Sequence, residues 1–115
     1  MKKVYICSAY SSQGKIEENV QRAKNYSRMA IEKMCLPITP HIYFTQFMSD
    51  DVPIERQIAL NIGLELIDEC DELWIFGTAA GGMDDEIDKA KELHIPIREF
   101  TVHGTEIPRE QRRYI

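Results

Sequence analysis

The chain has 115 residues, too few to build two separate cores, so one domain spanning residues 1–115 is expected. Apolar residues make up 43% and charged residues 29%, an ordinary globular balance that excludes a disordered chain. Fourteen Lys+Arg against nineteen Asp+Glu leave a net charge of -5 with no long basic run, which argues against a duplex nucleic acid as partner.

The longest apolar runs, such as Leu73-Trp74-Ile75-Phe76, are too short for a membrane span. Met1-Lys2-Lys3 passes directly into a strand-like run and then Ser8, without the apolar region of a secretory leader. Cys7, Cys35 and Cys70 stand at wide spacings with no C-x-x-C pair. They read as buried thiols of a reducing, cytoplasmic compartment rather than a disulfide frame or zinc site.

In chain order, residues 4–7 (Val-Tyr-Ile-Cys) form a short apolar run, a buried first strand. Polar Ser11-Ser12-Gln13-Gly14 leads into a first helix, with Ile16, Val20, Ala23, Ser27, Ala30 and Met34 on one face. Leu36-Pro37-Ile38-Thr39 reads as a second strand that Pro40 closes, and residues 41–53 read as irregular. Residues 54–67 form a second helix with a stripe of Ile54, Ile58, Ile62 and Leu66, widened by Ala59, Leu60, Leu64 and Ile67. So broad an apolar surface needs cover from two sides, either as a deep central helix or, the reading a domain this small favours, in a homo-oligomer through this helix.

A third strand follows over residues 73–76, then Gly77-Thr78-Ala79-Ala80-Gly81-Gly82, then a third helix with Met83, Ile87, Ala90 and Leu93 on one face. A fourth strand begins around Ile95-Pro96-Ile97 and ends near Phe100. The tail carrying Arg109, Arg112 and Arg113 reads as a solvated end.

Alternating strands and helices predict an α/β, three-layer Rossmann-like or flavodoxin-like sandwich. Its sheet would have four to five mainly parallel strands in the order 2-1-3-4. Ligands of such sheets sit beyond the carboxyl ends of the strands, where the strand order reverses. That places the crevice between the first and third strands, flanked by residues 9–15 and 77–82.

The first loop carries a Gly14-Lys15 pair, but Ala9 stands where a P-loop has its first glycine and Ile16 where it has its metal-binding hydroxyl. That excludes a P-loop NTPase. A phosphatase on Cys7 fails too, because the arginine it needs six residues later is Gln13. What remains are hydroxyls and backbone N–H groups able to hold a phosphate or sugar hydroxyl, or a Ser11 or Ser12 that merely caps the helix. In the second loop Gly81-Gly82 permits close approach of a ligand, and Asp84-Asp85-Glu86 opens the third helix. The aspartates can be read as complements to the helix dipole. Glu86, placed at the crevice mouth, is expected to stay ionised near a helix N-terminus and so to suit a nucleophile rather than a general acid.

These residues carry a family resemblance. Val4-Tyr5-Ile6-Cys7-Ser8-Ala9-Tyr10, Glu18-Asn19-Val20 with Arg22-Ala23, Cys70-Asp71-Glu72-Leu73-Trp74, and Gly82-Met83 followed by Glu86 and Ala90 resemble the nucleoside 2-deoxyribosyltransferase-like superfamily, in particular its small bacterial and phage branch. The resemblance implies an oligomeric Rossmann-like domain, cofactor-free, that cleaves or exchanges the N-glycosidic bond of a nucleoside or nucleoside 5′-monophosphate. It implies Glu86 as the nucleophile at C1′ of the sugar and Tyr5 as its hydrogen-bonding neighbour. Substrate contacts would come from Ser8, Tyr10, Ser11, Ser12 and Gly14 in the first loop and from Gly77, Gly81, Gly82 and Met83 in the second.

Two aspartates of characterised members correspond here to Gly63 and Ala80, which removes the acid expected to protonate the departing base. Asp84, Asp85 or an acid of the Asp50-Asp51 loop could substitute. His41, with Tyr43 and Phe44 beside it, could meet a base. His94 and His103 share no ligand spacing with it, so no metal site is expected. The leading expectation is thus an N-glycosidase or deoxyribosyltransferase acting on a small-molecule nucleoside or nucleotide. The alternative is a non-catalytic nucleotide-binding protein using the same pocket. A third reading, an oligomeric scaffold without a ligand, rests only on the wide apolar helix.

Overall fold

Two strands set the architecture. In the computed structural model, which describes residues 1–10 and 14–114, Val4 to Cys7 of β1 (Lys2–Cys7) and all of β3 (Glu72–Phe76) are buried. A strand buried on both faces needs a helical layer on each side. Side chains alternate across the sheet, so β1 and β3 each feed two cores. Tyr5, Cys7, Leu73 and Ile75 enter one, and Val4, Ile6, Trp74 and Phe76 enter the other.

The remaining elements are α1 (Ile16–Glu32), β2 (Cys35–Ile38), α2 (Pro40–Phe44), α3 (Pro53–Ile67), α4 (Gly82–Glu92), β4 (Ile97–Phe100) and a 3-10 turn (Arg109–Gln111). The sheet is four-stranded, all parallel, in the order β2-β1-β3-β4. It reverses between β1 and β3, as expected. The first core lies toward α3 and α4, and the second lies toward α1. Tyr5 and Cys7 therefore point to the α4 side, and that fixes where the candidate site forms.

Several local expectations are corrected. The buried face of α1 is Asn19, Ala23, Tyr26 and Ala30, while Ile16 and Met34 are exposed. Met34 instead takes a left-handed turn after the helix, and His94 does the same after α4. The cap position of α1 is Lys15. Pro40 does not close β2 but opens α2, its missing N–H costing nothing in a first turn. A helix thus occupies part of the segment expected to be irregular.

The C-terminal tail is docked at residues 112–114, although Arg109 and Arg113 are exposed as expected. Buried Glu99 accepts the backbone N–H groups of Arg113 and Tyr114 at 3.0 and 2.8 Å. Glu106 pairs with Arg98 and Arg112. The Tyr114 hydroxyl in turn accepts the Ala79 N–H at 3.0 Å, tying the tail to the loop between β3 and α4. All three cysteines are buried and free. Among the described residues no helix is long and apolar enough to cross a membrane.

Candidate active site

A cavity of about 360 Å³ opens where the sheet order reverses, within the size range of small-molecule sites. Its floor is the inward face of β1 and the start of α4. The Tyr5 hydroxyl donates to Glu86 Oε2, and the Cys7 thiol, two residues further along the same face, donates to Oε1 at 3.5 Å. Glu86 is the fifth residue of α4, and its carboxyl, expected at the crevice mouth, is turned onto the sheet within the cavity.

That position changes its chemistry. Burial pushes the Glu86 carboxyl up to about 7, with the Asp85 charge acting in the same direction. The hydrogen bonds from Tyr5 and Cys7 oppose the rise without cancelling it. The expectation of a firmly ionised Glu86 is therefore corrected: near neutral pH the group exists in both forms. Burial also lifts the Tyr5 hydroxyl well above its usual range, and the Glu86 charge adds to it, so Tyr5 remains a donor. The Cys7 thiol is pushed up for the same reasons.

The roof comes from α3. A Cβ added at Gly63 would lie 2.7 Å from the Tyr5 hydroxyl oxygen and 4.0 Å from Glu86 Oε2. Gly63 is thus the point where α3 closes over the Tyr5–Glu86 pair. Further along the wall, Ala59 and Leu60 of α3 line the cavity, and Leu60 stands 3.5 Å from where a Cβ of Gly82 would be. Part of the broad apolar surface of this helix is accordingly spent on the cavity. Ile54, Ile58 and Ile62 remain exposed, at 69%, 42% and 38%.

On the opposite wall, Ser8 follows β1 and His41 lies in α2, with Ser8 Oγ 3.3 Å from His41 Nε2. Burial pushes the His41 imidazole down to about 4, so it is neutral and can exchange a hydrogen bond with Ser8. Tyr10 places its ring centroid 5.9 Å from that of His41. The backbone carbonyl of Tyr10 is held by buried Asn19, whose Nδ2 donates to it at 2.7 Å.

Of the residues singled out from sequence, Tyr5, Ser8, Tyr10, His41, Gly81, Gly82, Met83 and Glu86 line this one cavity. Gly81 has φ 56 at the cap of α4, a conformation that favours glycine and lets the loop turn over the cavity. Two expectations are corrected. Gly77, with φ 82, packs toward Val102 and borders a second hollow on the α1 side of the sheet. Gly14 has φ 76 with open space around it and is not among the lining residues. Tyr43 is 64% exposed and turned away, whereas its neighbour Phe44 lines the cavity. Ser11 and Ser12 lie outside the described residues. Of the acids considered as substitutes, Asp50 and Asp85 reach the cavity and Asp84 does not. Among the described residues no group of His, Cys, Asp and Glu could hold a metal ion.

Sequence reading missed the wall formed by Met48, Ser49, Glu55, Arg56 and Gln57, because no short motif marks a wall assembled from a loop and a helix start.

A family described as a domain of unknown function (DUF7768) matches residues 2–100. The chain belongs to this family. No curated protein matches it. Among solved structures, this DUF7768 chain is similar to a 2-deoxyribosyltransferase from the psychrotolerant bacterium Bacillus psychrosaccharolyticus, with a TM-score of 0.64 and 16% sequence identity. The match covers 86% of this chain and 72% of that one. At that identity the likeness establishes a shared fold, a distant relationship that agrees with the four-stranded parallel sheet and its strand order.

Proposed function

We propose that this DUF7768 protein cleaves or transfers the N-glycosidic bond of a nucleoside, with Glu86 as the nucleophile. The observation that carries this reading is the Glu86 carboxyl, turned into the cavity and held by the Tyr5 hydroxyl at the switch point of the sheet. The shared fold with a 2-deoxyribosyltransferase supports the same class of chemistry.

In the proposed step the ionised Glu86 attacks C1′ of the sugar as the bond from C1′ to the base nitrogen breaks. A glycosyl ester forms, and water or a second base then resolves it, so configuration at C1′ is retained. Tyr5 orients the carboxylate and stabilises its charged form. Ser8 and Tyr10 face the sugar and the neutral His41 is a hydrogen-bonding partner for it. Gly81, Gly82 and Met83 shape the side of the cavity next to the nucleophile, and Phe44 offers an aromatic face to the base.

The test is chromatographic. Purified protein is incubated with a panel of nucleosides and their 5′-monophosphates, and free base is measured. Release that is abolished in Glu86→Gln supports the reading. Release that persists in Glu86→Gln removes Glu86 from the chemistry, and absence of release from the whole panel removes the enzymatic reading itself.

A further inference from the structure

The charges that line the cavity are unequal. Asp50, Glu55, Asp85 and Glu86 contribute four carboxyl groups against one guanidinium, Arg56, among the described residues. The three remaining residues of the first loop, Ser-Ser-Gln at 11–13, add no formal charge wherever they lie. Glu55, Asp50 and Asp85 are half-buried or exposed at the mouth, so their field acts on whatever enters. The Tyr10 hydroxyl is raised by burial and then by the charges of Asp50 and Asp51, which places that negative field over an aromatic wall. Phe44 and Tyr10 both line the cavity, and aromatic faces attract cations.

The proton inventory points the same way. An uncharged base leaves as an anion unless an acid protonates it. Beside the nucleophile, His41 is neutral, Arg56 is no acid, and the Tyr5 hydroxyl is buried and committed to Glu86, so the remaining acids of the cavity are the mouth carboxyls Asp50, Glu55 and Asp85. A base whose glycosidic nitrogen already bears a positive charge needs no proton, because the electron pair of the breaking bond neutralises it.

We infer that the preferred substrates are nucleosides with a fixed positive charge on the base, of the N-glycosyl pyridinium or N7-alkylated purine class. The inference rests on the proposed role of Glu86 and extends it to the choice of substrate. Glu86 forms an ester bond to C1′ as the bond from C1′ to the cationic nitrogen breaks, and the base departs neutral with that electron pair. Water then attacks C1′, yielding the free sugar, the Glu86 carboxylate and one proton released to solvent.

The experiment measures base release from nicotinamide riboside, guanosine and cytidine, each rate divided by its uncatalysed rate. A neutral carbon-linked analogue, benzamide riboside, is included as a competitor of the same shape. The expected result is at least about tenfold preference for nicotinamide riboside over its neutral analogue in binding, shrinking with salt. Preferential release from the cationic substrate, reduced when Asp50→Asn and Asp85→Asn are combined, completes the support. Equal or faster relative release from guanosine or cytidine overturns the substrate assignment and leaves the glycosidase reading standing. No release from any of the three overturns this inference, and silence across the whole panel of nucleosides and 5′-monophosphates overturns the glycosidase reading with it.

Discussion

The backbone of Gly63 faces the hydroxyl of Tyr5 so closely that a single added methyl group would sit 2.7 Å from the oxygen. Reading the sequence alone, Gly63 marks a lost acid. In the folded chain it marks a reserved space, because the hydroxyl that meets Glu86 occupies the room a side chain would need. Gly63→Ala should therefore cost roughly 1–3 kcal/mol by overpacking. The same substitution made in a Tyr5→Phe background, where the hydroxyl is gone, should cost clearly less. Urea denaturation of the four proteins reads this coupling directly, and strict additivity would show that the close approach carries no strain.

Activity should rise with pH. Glu86 must be ionised to attack, and its carboxyl lies at about 7, so the rate should climb through neutrality and level off above pH 8. Tyr5→Phe removes a hydrogen bond that holds the group down, and its ascending limb should move to higher pH. A pH–rate profile of both proteins checks this. A limb that stays in place in Tyr5→Phe would mean that the hydroxyl does not tune the carboxylate.

Stability should carry the opposite dependence. In the folded state Glu86 lies at about 7, above its ordinary 4.5, so between those values the native protein binds more protons than the unfolded chain. Its contribution is fully present below pH 4.5 and is lost as pH rises through 7. Glu86→Gln abolishes the titration. Relative to the wild type, that variant should gain about 3 kcal/mol between pH 4 and pH 8.5. Denaturant midpoints measured at the two values test it, and an equal difference at both would place the carboxyl in water rather than in the cavity.

The sheet was legible because its two central strands are continuous apolar runs, residues 4–7 and 73–76, that only a doubly covered parallel sheet can bury. The two punctuating loops then located the switch point. Pro40 was misread because a proline ends a strand as readily as it starts a helix, and the five residues of α2 are too few to show a period. Glu86 was found by position and resemblance, but its ionisation depends on Tyr5, Cys7 and the approach of α3, which no local window contains. The tail was misread for a related reason. Its partners Glu99 and Glu106 are ordinary charged residues in sequence; Glu99 is placed by β4 and Glu106 by its bridge to Phe100 at the end of that strand, which brings them to Tyr114 and Arg112.

The most direct measurement of the central claim is peptide mass spectrometry of protein incubated with a 2′-fluorinated nucleoside, whose electron-withdrawing group slows breakdown of a glycosyl ester. One added sugar mass on Glu86, absent from Glu86→Gln, is the predicted result. The same mass on another residue, or free base accumulating with Glu86 unmodified, would contradict it.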